Sequence, residues 1–315
     1  MSAEQISFVN KYGDTIKGYA WTIDKPKANV VIVTGMEEYA FRYDDFAKFL
    51  NKNGYDVYCM DQYGQGLNAP TLDDLGIAPS NAFTKAVNNI DHVVTSCRVS
   101  LLPTYIFGHS MGSFMLQDYI QRFTSHVNKV VICGTNGPNA KMTYIFGKIL
   151  TKLTTTKKNR NTKAKLMAKL AFGSYAKSIK NAQTSFDWLS VNEENVQKYI
   201  ADPYCGYGSS KGFFYEFMKG NSRLYKHKFL KKIRKDMNIL LIAGDADPVG
   251  AKGKGPTKLA KLYSKLGIEN VQLKLYPGLR HEILNETERD TVYADILKFL
   301  DEPCSPAESF IKWKK

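Results

Sequence analysis

The chain has 315 residues, of which 43% are hydrophobic and 12% aromatic, enough apolar material for one large packed domain. This composition excludes a disordered chain, a collagen-like repeat and a disulfide miniprotein, and no apolar run approaches the roughly 18 residues of a membrane span. The net charge is +14, and the five cysteines are an odd number without a CxxC pair, which favours reduced thiols and a cytoplasmic location over a disulfide framework or a zinc site.

The predicted elements begin with a hairpin, because apolar residues alternate over 6–9 and again over 16–23. Short runs that are apolar on both faces then alternate with helical patterns. The predicted strands are 30–34, 57–60, 105–107, 129–133, 239–243 and 271–276. The predicted helices are 43–53, 84–101, 111–123, 257–267 and 286–301. Buried strands separated by helices indicate an α/β fold, a parallel sheet between two layers of helices.

The alternation of strands and helices stops after residue 133, and up to residue 223 the apolar spacing is helical. We interpret this as an insertion: residues 1–136 and 224–315 form the core, and residues 137–223 form a helical cap. Within the cap, 141–180 carries ten lysines and one arginine and no Asp or Glu, which is +11 of the net +14. Such a concentration favours a local function over a general lysine bias, with a solvated face as the alternative.

The segment Gly108-His109-Ser110-Met111-Gly112 follows a predicted strand and opens a predicted helix. In such a turn the serine needs a strained backbone, and the flanking glycines remove side chains that would clash. The N-terminus of the helix points N–H groups and a positive dipole at the serine. We predict that Ser110 is a nucleophile; the alternative is an ordinary tight turn with an exposed serine.

A serine hydroxyl is a poor nucleophile unless a base takes its proton, so a histidine is required. His281 follows the predicted strand 271–276 and a Pro-Gly turn, which places it in a loop at the carboxyl edge of the sheet, where Ser110 is expected. The remaining histidines lie inside the elbow or in or beside predicted helices: His109, His92, His126 and His227. We therefore predict that His281 is the general base.

The acid that orients the histidine is expected in a loop between the serine and the histidine in chain order. Asp245 and Asp247 both follow the predicted strand 239–243. Asp247 lies further from the strand, and Pro248 makes the loop rigid at this point. We therefore prefer Asp247 as the acid and interpret Asp245 as a turn residue.

Two backbone N–H groups are candidates for binding the oxyanion that forms when a serine attacks a carbonyl. One belongs to Met111, directly after the nucleophile. The other belongs to Met36, in the loop after the predicted strand 30–34, where Gly35 permits the turn. Because backbone donors need no particular side chain, the identity of residue 36 carries little information.

The order Ser110, Asp247, His281 resembles that of the α/β-hydrolase superfamily. Several segments narrow the resemblance to its monoacylglycerol lipase and lysophospholipase-like branch, which is often grouped with serine aminopeptidases. The segment TGMEEYAFRY at 34–43 is similar to the branch's HGxxEHSGRY, and DQYGQGL at 61–67 is similar to its DxRGHGxS. The elbow GHSMG, the acid loop DPV and the histidine loop GLRHE are similar too, so the resemblance covers nearly the whole chain.

In the insertion, FDWLS at 186–190 and DPYCG at 202–206 are similar to cap segments of bacterial members. Two positions depart from the branch's pattern, because Thr34 and Gln65 stand where it usually has histidine. Since the oxyanion donors are main-chain groups, we expect the geometry of the site to survive these departures.

The resemblance implies an α/β-hydrolase fold with a mostly parallel eight-stranded sheet, helices on both faces and a helical cap. It also implies a serine esterase that acts on lipid-type esters such as monoacylglycerols or lysophospholipids. In that mechanism Ser110 attacks the carbonyl, His281 acts as base and then as acid, and Asp247 orients the imidazole. Neither an organic cofactor nor a metal is implied.

The cationic stretch 141–180 fits a surface helix that rests on anionic lipid while its apolar residues face the acyl chain. We therefore expect peripheral contact with the inner membrane surface. A nucleic-acid partner is not expected, because no recognised motif is present. The aromatic residues that lie among the lysines are interpreted as cap core: Tyr144, Phe146, Phe172 and Tyr175.

Three other functions are alternatives. An aminopeptidase similar to proline iminopeptidases would need cap carboxylates to hold the α-ammonium of its substrate, and the basic stretch disfavours a cationic substrate. A general carboxylesterase would use the same three residues. A non-catalytic lipid-binding protein is less favoured, because the serine, the histidine and the acid are all present.

Overall fold

The computed structural model describes residues 2–97 and 102–303 of the chain. In this part of the chain, eight strands form one sheet: β1 (Glu4–Val9), β2 (Thr15–Trp21), β3 (Ala28–Val33), β4 (Tyr55–Met60), β5 (Thr104–His109), β6 (Lys129–Cys133), β7 (Asn238–Gly244) and β8 (Asn270–Tyr276). The spatial order is β1-β2-β4-β3-β5-β6-β7-β8. β2 is antiparallel to β1 and β4, and the other neighbours are parallel. The predicted hairpin and the mostly parallel eight-stranded sheet are confirmed.

The described α-helices are α1 (Asp44–Lys52), α2 (Ala82–Cys97), α3 (Met111–Arg122), α4 (Lys141–Thr154), α5 (Lys165–Lys177), α6 (Glu193–Ala201), α7 (Lys211–Asn221), α8 (His227–Leu230), α9 (Lys254–Lys265) and α10 (Arg289–Asp301). Helices α2, α3 and α9 pack on one face of the sheet, and α1 and α10 pack on the other. The end of the predicted helix 84–101 lies outside the described residues.

Strand β3 shows why the central strands are unbroken apolar runs in the sequence. Val31 and Val33 belong to the core on one face of the sheet, and Val30 and Ile32 belong to the core on the other. Successive side chains of a strand point to opposite faces, so a strand covered by helices on both sides is apolar at every position.

Helices α4 to α7 lie between β6 and β7, within the predicted cap 137–223. α4 packs against α7, which in turn packs against α2 of the core. Residues 304–315 of the predicted core lie outside the described residues. Among the described helices, none combines the length and the apolar character needed to cross a bilayer.

Candidate active site

Ser110 lies in the sharp turn between β5 and α3, with φ +50° and ψ −116°. Holding a residue other than glycine at these backbone angles costs about 1–3 kcal/mol of free energy, so the surrounding structure must keep Ser110 in this conformation. A Cβ atom at Gly112 would collide with the carbonyl oxygen of Val33, and one at Gly108 would lie 2.7 Å from the side chain of Leu116. The two glycines therefore allow the turn to pack directly against its neighbours, as the sequence pattern predicts.

The structure brings the three predicted side chains into one line. His281 Nε2 lies 2.8 Å from Ser110 Oγ, and His281 Nδ1 lies 2.9 Å from Asp247 Oδ2. Asp247 is fully buried and His281 is 2% exposed, so the hydrogen bond between these two residues is shielded from water. The second oxygen of Asp247 accepts the N–H of Val249 at 2.8 Å, which fixes the carboxylate. This geometry lets the imidazole take the serine proton while the carboxylate holds its tautomer.

The neighbouring acid and the remaining histidines are engaged elsewhere. Asp245 accepts the backbone N–H of Gly278 at 2.7 Å, which ties two loops together. His92 stacks on Phe8, His126 bonds Asp91, and His227 begins α8. None of these four side chains forms a hydrogen bond with Ser110 among the described residues.

His109, in the elbow, is buried and supports the site rather than facing Ser110. Its Nε2 lies 3.2 Å from the carbonyl oxygen of His281, and its Nδ1 lies 3.3 Å from Glu38 Oε1. Burial alone would lower the pKa of His109, but the nearby Glu38 carboxylate raises it above its usual value. The sequence does not reveal this role of His109, although the residue lies in the GHSMG elbow.

The predicted oxyanion donors border Ser110 from two sides. Met111 is the first residue of α3, and Gly35, which precedes Met36, lies so close that a Cβ there would be 3.1 Å from Ser110 Cβ. Within residues 2–97 and 102–303, the backbone N–H groups of Met36 and Met111 donate to no protein acceptor. Both remain predicted oxyanion donors.

Gln65, one of the two departures from the family pattern, fastens the loop that contains Met36. Its side chain is fully buried. Nε2 donates to the carbonyl oxygens of Gly35 at 2.9 Å and Glu38 at 3.1 Å, and Oε1 accepts the N–H of Glu37 at 2.9 Å. The other departure, Thr34, has a buried hydroxyl that finds no hydrogen-bond partner among the described residues.

A buried ion network connects this loop with the residue after His281. Arg42 donates to Glu38 at 3.1 Å and to both oxygens of Glu282 at 2.8 Å, and Asn195 of α6 donates to Glu282 at 2.8 Å. Burial alone would raise the pKa of Glu282, but the Arg42 guanidinium outweighs it and lowers that pKa. The sequence does not reveal these roles, although three of the four residues lie in the segments TGMEEYAFRY and GLRHE.

The segment 187–192 is bonded to both sides of His281. Arg280 donates to the carbonyl oxygen of Ser190 at 2.9 Å, and the N–H of Glu282 donates to the carbonyl oxygen of Leu189 at 2.7 Å. The Trp188 ring lies 5.2 Å from the imidazole of His281, centroid to centroid. This segment therefore holds the histidine loop in place and forms part of the site.

A cavity of about 450 Å³ opens beside Ser110 and His281. Its lining is mostly apolar and includes Phe172, Phe186 and Trp188. Volumes of this order are typical of pockets for small organic ligands. In the part of the chain that the structure describes, no cluster of three or more His, Cys, Asp or Glu side chains could hold a metal ion.

The structure corrects one expectation about the lysine-rich stretch. Phe172 of α5 lines the cavity and Tyr144 of α4 is buried in the core, but several other apolar residues of α4 are exposed. Phe146, interpreted as cap core, is 63% exposed, and Leu153 is 78% exposed. Helical spacing predicts an apolar face, but it does not say whether the protein covers that face.

The family model Hydrolase_4, described as serine aminopeptidase, S33, matches residues 24–288. The chain belongs to this family. The monoacylglycerol lipase of Mycolicibacterium smegmatis is 26% identical over 301 residues, covering 93% of this chain and 95% of the relative. Phospholipase YtpA of Bacillus subtilis is 24% identical over 287 residues, covering 90% and 99%.

Among solved structures, a thermostable carboxyl esterase from Bacillus coagulans in complex with glycerol is similar to this chain at a TM-score of 0.78. Its sequence is 26% identical, and the match covers 96% of this chain and 98% of the esterase. These findings confirm the α/β-hydrolase fold and the resemblance to the monoacylglycerol lipase-like branch.

Proposed function

We propose that the chain is a serine hydrolase of lipid-type carboxylic esters, monoacylglycerols or lysophospholipids, which acts through Ser110, His281 and Asp247. The observation that carries the proposal is the hydrogen-bonded line from Asp247 to Ser110, which ends at a mostly apolar cavity. The names of relatives that span nearly the whole chain, a monoacylglycerol lipase and a phospholipase, support the substrate class.

In the first step, Ser110 Oγ attacks the ester carbonyl carbon while His281 Nε2 takes the hydroxyl proton. Asp247 accepts the Nδ1–H and stabilises the imidazolium, and the N–H groups of Met36 and Met111 bind the oxyanion. The C–O bond to the alcohol then breaks, and His281 returns the proton to the leaving oxygen. Water, deprotonated by His281, hydrolyses the acyl-enzyme and releases the fatty acid and Ser110.

We further propose that residues 137–223 form the cap over this cavity and that the outer face of α4 touches an anionic membrane surface. Exposed apolar residues on this face alternate with lysines: Met142, Phe146, Ile149 and Leu153, with Lys148 and Lys152. Such a face lies in the interfacial layer of a bilayer, and each lysine near anionic lipid contributes about 1 kcal/mol. This peripheral contact would bring the cavity to its lipid substrates.

An aminopeptidase is disfavoured because the carboxylates that line the cavity already have partners within the protein. Glu38 and Glu282 are paired with Arg42, and Glu37 accepts hydrogen bonds from Ser209 at 2.8 Å and from the N–H of Gly208 at 3.3 Å. A substrate ammonium group would have to displace these partners.

The deciding experiment combines labelling with a substrate panel. A fluorophosphonate probe should label the wild-type chain but not Ser110→Ala, whose circular dichroism should be unchanged. Hydrolysis of a monoacylglycerol, a lysophospholipid, a short-chain ester and a proline amide should then be compared. Labelling that persists in Ser110→Ala, or cleavage of the amide alone, would contradict the proposal.

A further inference from the structure

Helix α5 presents two neighbouring rows of residues to the cavity. One row is apolar and consists of Ala168, Phe172 and Ala176. The neighbouring row consists of Lys169, Gly173 and Lys177. Residues four apart lie above one another on a helix, so each row runs along the helix axis. The cavity is therefore apolar beside one row and lined by two lysine side chains beside the other.

Gly173 leaves a gap between the two lysines. A Cβ atom placed there would meet only the Cγ of Lys169, at 3.5 Å, and the space is otherwise open. Lys169 and Lys177 are eight residues apart, which is about 12 Å along the helix. Both side chains are long and flexible, so their ammonium groups can converge on one group held at the gap.

The positive charge of this rim is not neutralised by the protein. Lys169 and Lys177 are exposed, and neither forms an ion pair with another residue in the described part of the chain. The surrounding stretch 141–180 contains no Asp or Glu. The carboxylates of Glu38 and Glu282, which also border the cavity, are already paired with Arg42.

We propose that Lys169 and Lys177 form an anion-binding rim that recognises the phosphate of a lysophospholipid whose ester lies at Ser110. The inference rests on the proposed function and narrows it, because it ranks anionic lysophospholipids above neutral monoacylglycerols. A phosphate at the rim has two sources: the substrate's own headgroup, or a neighbouring lipid of an anionic membrane. The experiment therefore separates the two sources.

The test compares kcat/KM for octanoyl lysophosphatidylglycerol and monooctanoylglycerol, both monomeric and without vesicles. The wild-type chain should prefer the anionic substrate, and added salt should weaken the preference. Because exposed ion pairs are individually weak, each of Lys169→Gln and Lys177→Gln should lower the ratio about threefold and the double variant about tenfold. Hydrolysis of the neutral ester should change little, and Lys169→Arg should retain the preference.

The matched control is the double variant Lys261→Gln/Lys265→Gln, which removes the same charge from exposed positions on α9. It should leave the ratio unchanged. An equal loss in the control would assign the effect to the net charge and overturn the inference. A preference seen only with phosphatidylglycerol vesicles would place the anion in the membrane and overturn it too. If the wild type hydrolysed neither ester, the proposed function itself would fail.

Discussion

Arg42 and Glu282 form a two-pronged ion pair, with both nitrogen–oxygen distances at 2.8 Å, and Glu282 directly follows His281 in the chain. The side chains are 11% and 3% exposed. The pair thus connects the loop at Glu38 with the histidine loop inside the protein, where water cannot replace a lost partner.

Removal of Arg42 should therefore destabilise the fold. In Arg42→Met two buried carboxylates, Glu38 and Glu282, lose their shared cation, and breaking such a pair costs about 3–5 kcal/mol. Urea unfolding at pH 7 measures the loss. The control Arg289→Met breaks an exposed pair with Asp45, 2.8 Å long, and should cost at most about 1 kcal/mol. Equal losses in both variants would show that Arg42 does not hold the two carboxylates.

Gln65→Ala should impair turnover more than substrate binding. The variant removes the three hydrogen bonds that fasten the loop containing Met36, so the predicted oxyanion donor loses its fixed position. We expect kcat on a short-chain ester to fall about 10- to 100-fold with little change in KM.

The control for this variant is Gln121→Ala. Gln121 is also buried and donates to the carbonyl oxygen of Leu224 at 3.0 Å, but it lies in the last turn of α3, outside the cavity lining. It should lose stability without losing kcat. A normal kcat in folded Gln65→Ala would exclude the positioning role.

Asp61 should make stability depend on pH in the direction opposite to an ordinary paired carboxylate. Burial raises its pKa from 3.8 to about 7, although it accepts backbone N–H groups of Leu67 and Ala40. Because the folded state binds the proton more tightly, this stabilisation is complete below about pH 4 and is lost as the pH rises through about 7. Relative to Asp61→Asn, the wild type should lose at most about 4 kcal/mol over this range.

Urea unfolding of both proteins at several pH values gives this difference. The comparison cancels the titration of all other groups that the substitution leaves unchanged. A wild type that gains stability over Asp61→Asn as the pH rises would contradict the raised pKa.

The outer face of α4 should control membrane binding. We expect the triple variant Phe146→Ser/Ile149→Ser/Leu153→Ser to bind phosphatidylglycerol vesicles about 10- to 100-fold more weakly, because three exposed apolar side chains can no longer enter the lipid. Hydrolysis of a short-chain ester without vesicles should be unaffected. Vesicle co-sedimentation measures the binding.

The matched control is Val9→Ser/Leu72→Ser, which removes exposed apolar side chains from outside the predicted cap. It should bind vesicles like the wild type. Equal binding of the wild type to neutral and anionic vesicles would contradict the role of the lysines.

That Ser110, Asp247 and His281 lie close together can be predicted from the sequence for a physical reason. Parallel strands place their carboxyl ends at one edge of a sheet, so residues that follow β5, β7 and β8 must approach each other even though they are far apart in the chain. The ion network could not be predicted in the same way. Glu38 and Arg42 come from one segment and Glu282 and Asn195 from two others, and their pairing depends on tertiary packing that local patterns do not encode.

Gln65 and Phe146 show the same limit. The sequence reveals that Gln65 departs from the family pattern. Its three hydrogen bonds become known only from the folded structure, in which the loop 35–38 lies beside the Gln65 side chain. For Phe146, the periodicity of α4 predicts one apolar side, and only the arrangement of the other helices shows that this side is left uncovered.

The bonds between segment 187–192 and the histidine loop have a consequence for altering acyl-chain selectivity. Trp188 belongs to a wall that also supports His281, so enlarging the pocket from that side would loosen the imidazole. Ala168 and Ala176 also line the cavity, on helix α5, which carries none of the three reacting side chains. Bulkier residues at these two positions would reduce the volume of the cavity and leave the proton path intact.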